Sequence, residues 1–272
     1  MKNPIFLSTL IGLISLLPAS AVIVAGGSGG GNNTNNTTGA QLESELSTVF
    51  PIYDNVVQYS DASGVYLGYD AVTRDVWVLT ARHINASTAP ITIGGQSYNF
   101  GAEFLPGGDL RLVRYSRTDG AVPSLPAVSL ATTVPAASTS LVTIGYGQDR
   151  LQNGATSANS PDSTSITVTA GMVQGYNWDA PQTKRWGTNN IEAEFLNALE
   201  VPPAPVTGTT GTFSINGVDS IGFMTDFDQP GANQWLSSNE SQGSLGDSGG
   251  GAFYLSGGQW VLGRNLFSSG RL

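Results

Sequence analysis

The residue of this chain most suited to chemistry is a serine set among glycines near the C-terminus. Ser248 stands in the pentapeptide Gly246–Gly250, which reads GDSGG and precedes an apolar run that begins near Ala252. Glycines allow a tight turn, so the hydroxyl can be exposed with backbone N–H groups free beside it. Acyl transfer requires this arrangement, because the nucleophile needs donors aimed at the oxyanion that forms on attack. The alternative is an ordinary glycine-rich hairpin turn.

A serine nucleophile needs a base, and the chain contains a single histidine, His83. It follows the apolar run Val76–Ala81 and Arg82, so a strand ending there would present the imidazole at a sheet edge. The alternative is a structural or merely exposed histidine. GDSGG also fits the G-x-S-x-G elbow of α/β hydrolases, in which the histidine follows the serine. His83 lies 165 residues before Ser248, and no alternation of strands and helices is visible, so that class is excluded.

A third residue must orient the imidazole and stabilise its charged form, and Asp109 is the best candidate. It follows Pro106–Gly108 and precedes the alternating run Leu110–Arg114, so it can lie half buried at the mouth of a strand. Asp226 and Asp228 are its main rivals, and they could alternatively serve as oxygen ligands for calcium. Four other aspartates are predicted to lie on solvated surface: Asp119, Asp149, Asp162 and Asp179.

Three segments together resemble the signature blocks of the chymotrypsin-like (trypsin-like) serine proteases, in that family's order of His, Asp and Ser. These segments are Leu79–His83, Asp109–Leu112 and Gly246–Gly250. Three further segments are similar to strands of the family's second barrel: Ile144–Gly147, Phe253–Tyr254 and Trp260–Gly263. The resemblance covers roughly residues 56 to 263.

The resemblance implies an all-β fold of two antiparallel six-stranded β-barrels that meet at the site, with an incomplete second barrel as the alternative. It implies that His83 takes the proton of Ser248 and returns it to the leaving amine, while Asp109 holds His83. The backbone N–H groups of Gly246 and Ser248 would form the oxyanion hole. Gln242 would floor the specificity pocket, and an uncharged floor does not favour Arg or Lys substrates.

Two features depart from the family pattern, the residue before the histidine and the short stretch after the serine, and a third feature, at the N-terminus, resembles the pattern. Arg82 stands where the family usually has a small residue before the histidine. Val22–Gly27 resembles the family's freed apolar N-terminus, which inserts beside the aspartate before the serine, here Asp247; the alternative is an ordinary apolar stretch after a signal. Only 24 residues follow Ser248, so the second barrel is expected to close differently or to be incomplete.

The elements that must position these residues are short β-branched and aromatic runs between turn-forming residues, which predicts an antiparallel all-β domain. One stretch, Gln41–Phe50, has a helical pattern. The Pro- and Ala-rich stretch Gly120–Ser138 divides the strand-rich region. The predicted strands or hairpins are Val65–Tyr69, Val76–Ala81, Ile91–Phe100, Leu110–Tyr115, Leu141–Tyr146, Ile166–Val173, Ile191–Phe195, Gly211–Phe227 and Gly251–Gly263.

Four parts are predicted along the chain. Residues 1–21 form a signal peptide, because Lys2 precedes a 13-residue apolar run and a small-residue ending. Residues 22–46 form a flexible Gly- and Asn-rich segment. Residues 47–128 form the first barrel, with His83 and Asp109, and residues 129–272 form the second, with Ser248. The signal predicts a secreted or periplasmic protein, with no membrane association once the signal is removed.

Composition narrows the function further. The absence of cysteine excludes disulfides and thiolate catalysis, and a single histidine argues against a zinc site, so no metal or cofactor is expected. A net charge of −9 with 11% charged residues argues against nucleic acid as a partner. The resemblance implies a protein or peptide substrate. The sequence therefore predicts a secreted serine endopeptidase. The alternatives are a catalytically weak or inactive protease-like binding module, and an esterase acting through the same site.

Overall fold

The computed structural model describes ten stretches of the chain, and within them strands dominate. The described residues are 22–24, 36–150, 162–168, 171–175, 178–192, 194–196, 205–207, 210–215, 217–225 and 237–265. The predicted signal peptide and the rivals Asp226 and Asp228 lie outside them. The prediction of an all-β fold is confirmed. In the described part of the chain, no helix has the length and apolar character needed to cross a membrane.

The N-terminal segment is ordered at both of its described ends. Strand β1 (Ile23–Val24) is buried, and helix α1 (Gly39–Leu46) buries Leu42. Thr38 caps the helix, because its hydroxyl accepts from the N–H of Gln41 while the Gln41 side chain accepts from the N–H of Thr38. Apolar side chains of residues 22–24 and 36–46, such as Ile23 and Leu42, therefore join the core, and the flexible character of segment 22–46 stays a prediction.

The first sheet has six antiparallel strands. They are β2 (Val56–Tyr59), β3 (Ala62–Asp70), β4 (Asp75–Ala81), β5 (Ile91–Ile93), β6 (Gln96–Gly107) and β7 (Leu110–Ser116). Their order in the sheet is β2-β3-β4-β7-β6-β5, and the two end strands, β2 and β5, contact each other. The sheet therefore curls into a nearly closed barrel, as predicted for the first half of the chain.

The second sheet has five described strands rather than six. They are β8 (Ser129–Leu130), β9 (Ser140–Gly145), β14 (Arg185–Asn190), β20 (Gly251–Ser256) and β21 (Gln259–Asn265), in the order β14-β9-β20-β21-β8. All neighbours are antiparallel except β21 and β8, which are parallel. Strand β20, the central strand of this sheet, begins directly after the GDSGG pentapeptide, so the start of β20 fixes the position of the turn that carries Ser248.

The remaining strands form two-stranded ribbons, and a short 3-10 helix lies at Tyr53–Asn55. The ribbons pair β1 with β19 (Ser241–Gln242), β10 (Gln148–Arg150) with β13 (Trp178–Gln182), β11 (Asp162–Val168) with β12 (Gly171–Gly175), β15 (Glu194–Leu196) with β16 (Pro205–Thr207), and β17 (Gly211–Ile215) with β18 (Val218–Gly222).

Two large apolar clusters form most of the core. The first fills the barrel, with Tyr and Val side chains that alternate along strands such as β4 and β7. The second joins α1 and the outer face of the barrel to the second sheet. At its centre the Phe50 ring packs edge-on against Phe253, with centroids 5.7 Å apart, and against Trp260, at 4.8 Å. The second cluster therefore holds the strand that carries the serine turn.

Truncating Phe253 tests this assignment of the core. Phe253 in β20 is fully buried, so Phe253→Ala should lower the free energy of unfolding by about 3–5 kcal/mol through lost burial and a residual cavity. Leu255, two residues further along the same strand, is 51% exposed, and Leu255→Ala should cost less than about 1 kcal/mol. Urea unfolding of both variants measures the difference. Equal losses would contradict the placement of Phe253 at the centre of the second cluster.

Candidate active site

His83 is held at the end of a barrel strand. Strand β4 ends at Ala81, and the chain turns at Arg82 and His83 instead of continuing the ladder. The His83 side chain is 18% exposed, so the imidazole lies at the surface edge of the barrel. The backbone N–H of His83 donates to Oδ1 of Asp109, at 2.8 Å. The main chain and the ring of His83 are thus tied to the same carboxylate.

Asp109 lies in the turn between β6 and β7. Gly108 adopts a φ of +57°, in the left-handed region, which a glycine enters without strain. Oδ2 of Asp109 lies 2.6 Å from Nδ1 of His83, and the residue is 8% exposed. Because a carboxylate only accepts, Nδ1 carries the proton and Nε2 is left with a lone pair. Asp109 therefore fixes the tautomer of the His83 ring.

The Asp109 backbone is anchored from two directions. Its carbonyl accepts from the N–H of Arg82, at 3.2 Å, within the barrel. Its N–H donates to the hydroxyl of Ser220 in β18, at 2.6 Å, which reaches over from the second half of the chain. Sequence reasoning missed Ser220, because nothing in the local pattern of the hairpin β17–β18 marks one of its serines as a partner for a residue 111 positions away.

Ser248 completes the line of hydrogen bonds. Its Oγ lies 2.9 Å from Nε2 of His83, and the residue is 6% exposed. Gly246 and Gly249 both have positive φ, +98° and +84°, so the turn needs glycine at these two positions. A Cβ on Gly249 would also overlap the carbonyl oxygen of Ser63 and the hydroxyl of Thr80. The glycines of GDSGG are therefore required by backbone angle and by close packing.

Ser63 connects the serine turn to the barrel, and sequence reasoning also missed it. Its N–H donates to the carbonyl of Ser248, at 3.0 Å, and its hydroxyl donates to the carbonyl of Gly246, at 2.8 Å. The same hydroxyl accepts from the N–H of Tyr146, at 2.7 Å, and the carbonyl of Ser63 accepts from Thr80, at 2.6 Å. This fully buried serine fixes the turn relative to β4, and hence Ser248 relative to His83.

Two backbone donors lie beside the serine hydroxyl without a protein acceptor. Among the described residues, neither the N–H of Gly246 nor that of Ser248 donates a hydrogen bond to any atom. Neighbouring amides of the turn are engaged, since Asp247 donates to the carbonyl of Ser244 and Gly250 donates to the carbonyl of Asp247. Free backbone donors next to a nucleophile are what an oxyanion hole needs.

Asp247 is buried beneath the turn. One of its oxygens accepts from the N–H and the hydroxyl of Ser244, at 2.7 and 3.0 Å, and the other lies 3.4 Å from the backbone N of Val22. A Cβ on Gly145 or Gly147 would overlap the carboxylate, so both glycines make room for it. Burial raises the pKa of the Asp247 carboxyl to about 6, against the hydrogen bonds from Ser244 and Val22, which lower it.

The remaining sequence candidates occupy other places. Gln242 lies in β19, directly opposite Ile23 of β1, and is half buried; its place at the floor of a specificity pocket stays a prediction. Asp119 is exposed and pairs with Arg117, as expected for a surface residue. Among the described residues, no three His, Cys, Asp or Glu side chains are grouped as metal ligands would be. The structure thus brings together His83, Asp109, Ser248 and Gly246.

Replacing Asp247 should change how stability depends on pH. Folding favours its protonated form, because the pKa of about 6 exceeds the ordinary 3.8. Its stabilising contribution is therefore complete below about pH 4 and is lost as the pH rises through about 6, on the order of 3 kcal/mol in all. In a chain that keeps Val22 bonded to Ala21, Asp247→Asn should remove this loss from urea unfolding measured between pH 4 and 7. An unchanged pH dependence would contradict the burial of a charged Asp247.

Comparison with known proteins gives similarity to solved proteases at low sequence identity. No protein-family model matches the chain, and no curated protein matches it. The NS6 protease from murine norovirus 1 has 15% identity and a TM-score of 0.34, covering 81% of this chain and 86% of its own. An inactive mutant of the same viral protease, with a C-terminal extension into NS7, has 15% identity and a TM-score of 0.38, covering 79% and 84%. Neuropsin, a serine protease expressed in the limbic system of mouse brain, has 15% identity and a TM-score of 0.35, and the match covers 75% of this chain and 90% of neuropsin.

Proposed function

We propose that this protein is a secreted serine endopeptidase of the chymotrypsin-like class, which hydrolyses peptide bonds through an acyl-enzyme intermediate. One observation supports the proposal above all others: an unbroken line of hydrogen bonds from Ser248 Oγ through the His83 ring to Asp109, at 2.9 and 2.6 Å. Two unengaged N–H groups stand beside the nucleophile. Nucleophile, base, orienting carboxylate and oxyanion donors are the parts that acyl transfer needs.

The first half of the proposed reaction forms an ester on the enzyme. Ser248 Oγ bonds to the scissile carbonyl carbon while its proton passes to Nε2 of His83, and the carbonyl oxygen takes the displaced electron pair. The N–H groups of Gly246 and Ser248 stabilise this oxyanion. Asp109 stabilises the imidazolium by its adjacent charge, which acts strongly because the carboxylate is shielded from water. The carbon–nitrogen bond then breaks, and the proton on Nε2 moves to the leaving amine.

The second half releases the acyl group with water as the nucleophile. His83 takes a proton from the water as its oxygen attacks the ester carbon, and the oxyanion forms again at the same donors. When the ester bond breaks, Nε2 returns the proton to Ser248 Oγ. The enzyme is restored and the new carboxyl end of the substrate leaves. No metal or cofactor takes part in this scheme.

Substrate preference is proposed from Gln242. An amide at the floor of the specificity pocket offers no negative charge to an Arg or Lys side chain, so small, polar or apolar side chains are proposed at the cleavage position. Glu240 lies near Gln242 in sequence, but it is buried and has partners of its own within the protein. It is therefore not proposed as the missing carboxylate of that pocket.

Maturation is proposed to follow export. Cleavage of a signal after Ala21 would free the α-amino group of Val22, whose backbone N lies 3.4 Å from a carboxylate oxygen of Asp247. The resulting α-ammonium would supply the counter-charge that this buried carboxylate needs, and it would lower the pKa of Asp247. Removal of the signal would then stabilise the GDSGG turn only once the protein has left the cytoplasm.

Covalent labelling with a fluorophosphonate probe tests the proposed activity. The wild type should be labelled at Ser248, and Ser248→Ala should not be labelled. His83→Ala and Asp109→Asn should react at least about a thousandfold more slowly, because the serine then lacks a correctly oriented base. Near-ultraviolet circular dichroism checks that all four proteins are folded. A folded wild type that resists the probe would leave the protease-like binding module as the function.

The N-terminal residue should control the rate of that labelling. A chain that begins at Val22 should react at least about tenfold faster than one that retains Ala21, because an ion pair at a buried carboxylate is worth more than about 1.4 kcal/mol. N-acetylation of the Val22 chain should remove the advantage, since it abolishes the charge without altering a side chain. Equal rates in the three proteins would rule out maturation through Val22.

A further inference from the structure

A cavity of about 310 Å³ opens beside His83, and the proposed reaction does not use it. One wall is the stretch Arg82–Ala86, and the other includes Asp109, Arg111 and Val218. The volume is enough for about ten water molecules or for one side chain of a bound peptide. Nε2 of His83 must lie within hydrogen-bonding distance of the leaving amine, so a side chain in this cavity belongs to a residue close to the scissile bond.

The wall that includes Arg111 contains a buried guanidinium whose charge is paired within the protein. Arg111 is only 8% exposed, and its guanidinium donates to the carbonyls of Arg82 and Ile84, at 3.2 and 3.3 Å, and pairs with Glu103. Its Nε is buried without an acceptor among the described residues. Arg111 thus fixes the backbone of the other wall.

The wall formed by Arg82–Ala86 carries a positive charge that no described residue neutralises. Arg82 is exposed and makes no ion pair within the part of the chain that the structure describes. Its backbone is held at both ends, by the carbonyl of Asp109 and by the guanidinium of Arg111. In a chain of net charge −9, an unpaired guanidinium anchored next to the catalytic base is a local feature and does not reflect bulk composition.

The single carboxylate in the lining does not favour a cationic ligand. Both oxygens of Asp109 already accept from His83, one from its N–H and one from Nδ1. When His83 is protonated during the reaction, that pair becomes neutral overall. The charge left for a ligand to meet is that of Arg82, which matches a carboxylate and can bind it through two parallel N–H groups.

We propose that this cavity is a substrate subsite for an acidic side chain, with Arg82 as the residue that binds its carboxylate and Arg111 as the residue that fixes the position of Arg82. The inference rests on the proposed peptidase function and adds to it a specificity separate from the Gln242 pocket. It also gives a reason for an arginine at a position where a small residue would suffice for packing.

Binding to a protein without the nucleophile tests the subsite. The probes are labelled octapeptides of Ala and Ser that carry one Glu at each position in turn, each with a Gln twin. Against Ser248→Ala, one position should show about tenfold tighter binding of Glu than of Gln, as expected for a hydrogen bond to a charged group. Adding Arg82→Gln should bring the ratio to within about twofold.

Arg74→Gln is the matched control. Arg74 is also exposed and immediately precedes β4, whereas Arg82 immediately follows it, so the two arginines stand about 25 Å apart at opposite ends of one strand. The control removes the same charge and should keep the tenfold ratio. A ratio below twofold at every position, or one that survives Arg82→Gln, would overturn the subsite.

A second arm separates a substrate side chain from a free carboxylate. Acetate is added to the wild type at constant ionic strength, and the rate of fluorophosphonate labelling is measured. An unchanged rate supports a side-chain subsite, and an effect of acetate without any Glu preference in the peptides overturns it. Because the peptide arm needs no nucleophile, its failure contradicts the subsite alone, whereas a wild type that is not labelled contradicts the proposed hydrolysis.

Discussion

The site depends on the hydrogen bonds of one buried serine. Ser63 accepts hydrogen bonds from Thr80 and from the N–H of Tyr146, and it donates hydrogen bonds to the carbonyls of Gly246 and Ser248. It therefore joins the barrel, the second sheet and the GDSGG turn. A displacement of about 1 Å between nucleophile and base is enough to cost two orders of magnitude in rate. Hydrogen bonds have a preferred length and direction, so two of them from Ser63 to the same turn hold such a distance more closely than apolar contact does. The separation of Ser248 from His83 is therefore set by Ser63 more than by the side chains of Ser248 and His83 themselves.

Glycine is the second constraint, and it acts through space as much as through backbone angle. Gly249 brings the turn against β3 and β4, and Gly145 and Gly147 leave room for the Asp247 carboxylate. That carboxylate is contacted by its own loop at Ser244 and by two distant parts of the chain, the end of β9 and the Val22 segment. A buried acid surrounded in this way responds to a change at any of the three, so the turn, the second sheet and the N-terminus form one unit energetically.

Much of this arrangement could be predicted from sequence, because it is local. Alternation along Leu110–Arg114 predicts a barrel strand, and the glycines of GDSGG predict a serine on a tight turn, although Ser248 is only 6% exposed and not open to solvent as that pattern suggests. Ser63 and Ser220 could not be predicted, since their own neighbourhoods hold no distinguishing pattern and all their named partners except Thr80, 17 residues from Ser63, lie 83 or more residues away. Composition alone also gives no sign of the core contacts in segment 22–46: it suggests a tether, but a few apolar residues, such as Ile23 and Leu42, are buried in a core built by the rest of the chain.

The hairpin β17–β18 has a consequence for the order of events during synthesis. His83 and Asp109 are synthesised early. The hydrogen bond from the Asp109 N–H to Ser220 and the hydrogen bond between His83 and Ser248, which lies 165 residues later, can form only after the second half of the chain is synthesised. The nascent barrel therefore contains His83 and Asp109 without the Ser248 hydroxyl and without the hydrogen bond from Asp109 to Ser220. The arrangement on which the proposed hydrolysis depends is complete only when the C-terminal strands pair, so a fragment that ends within the second half of the chain before Ser248 would lack the proposed nucleophile.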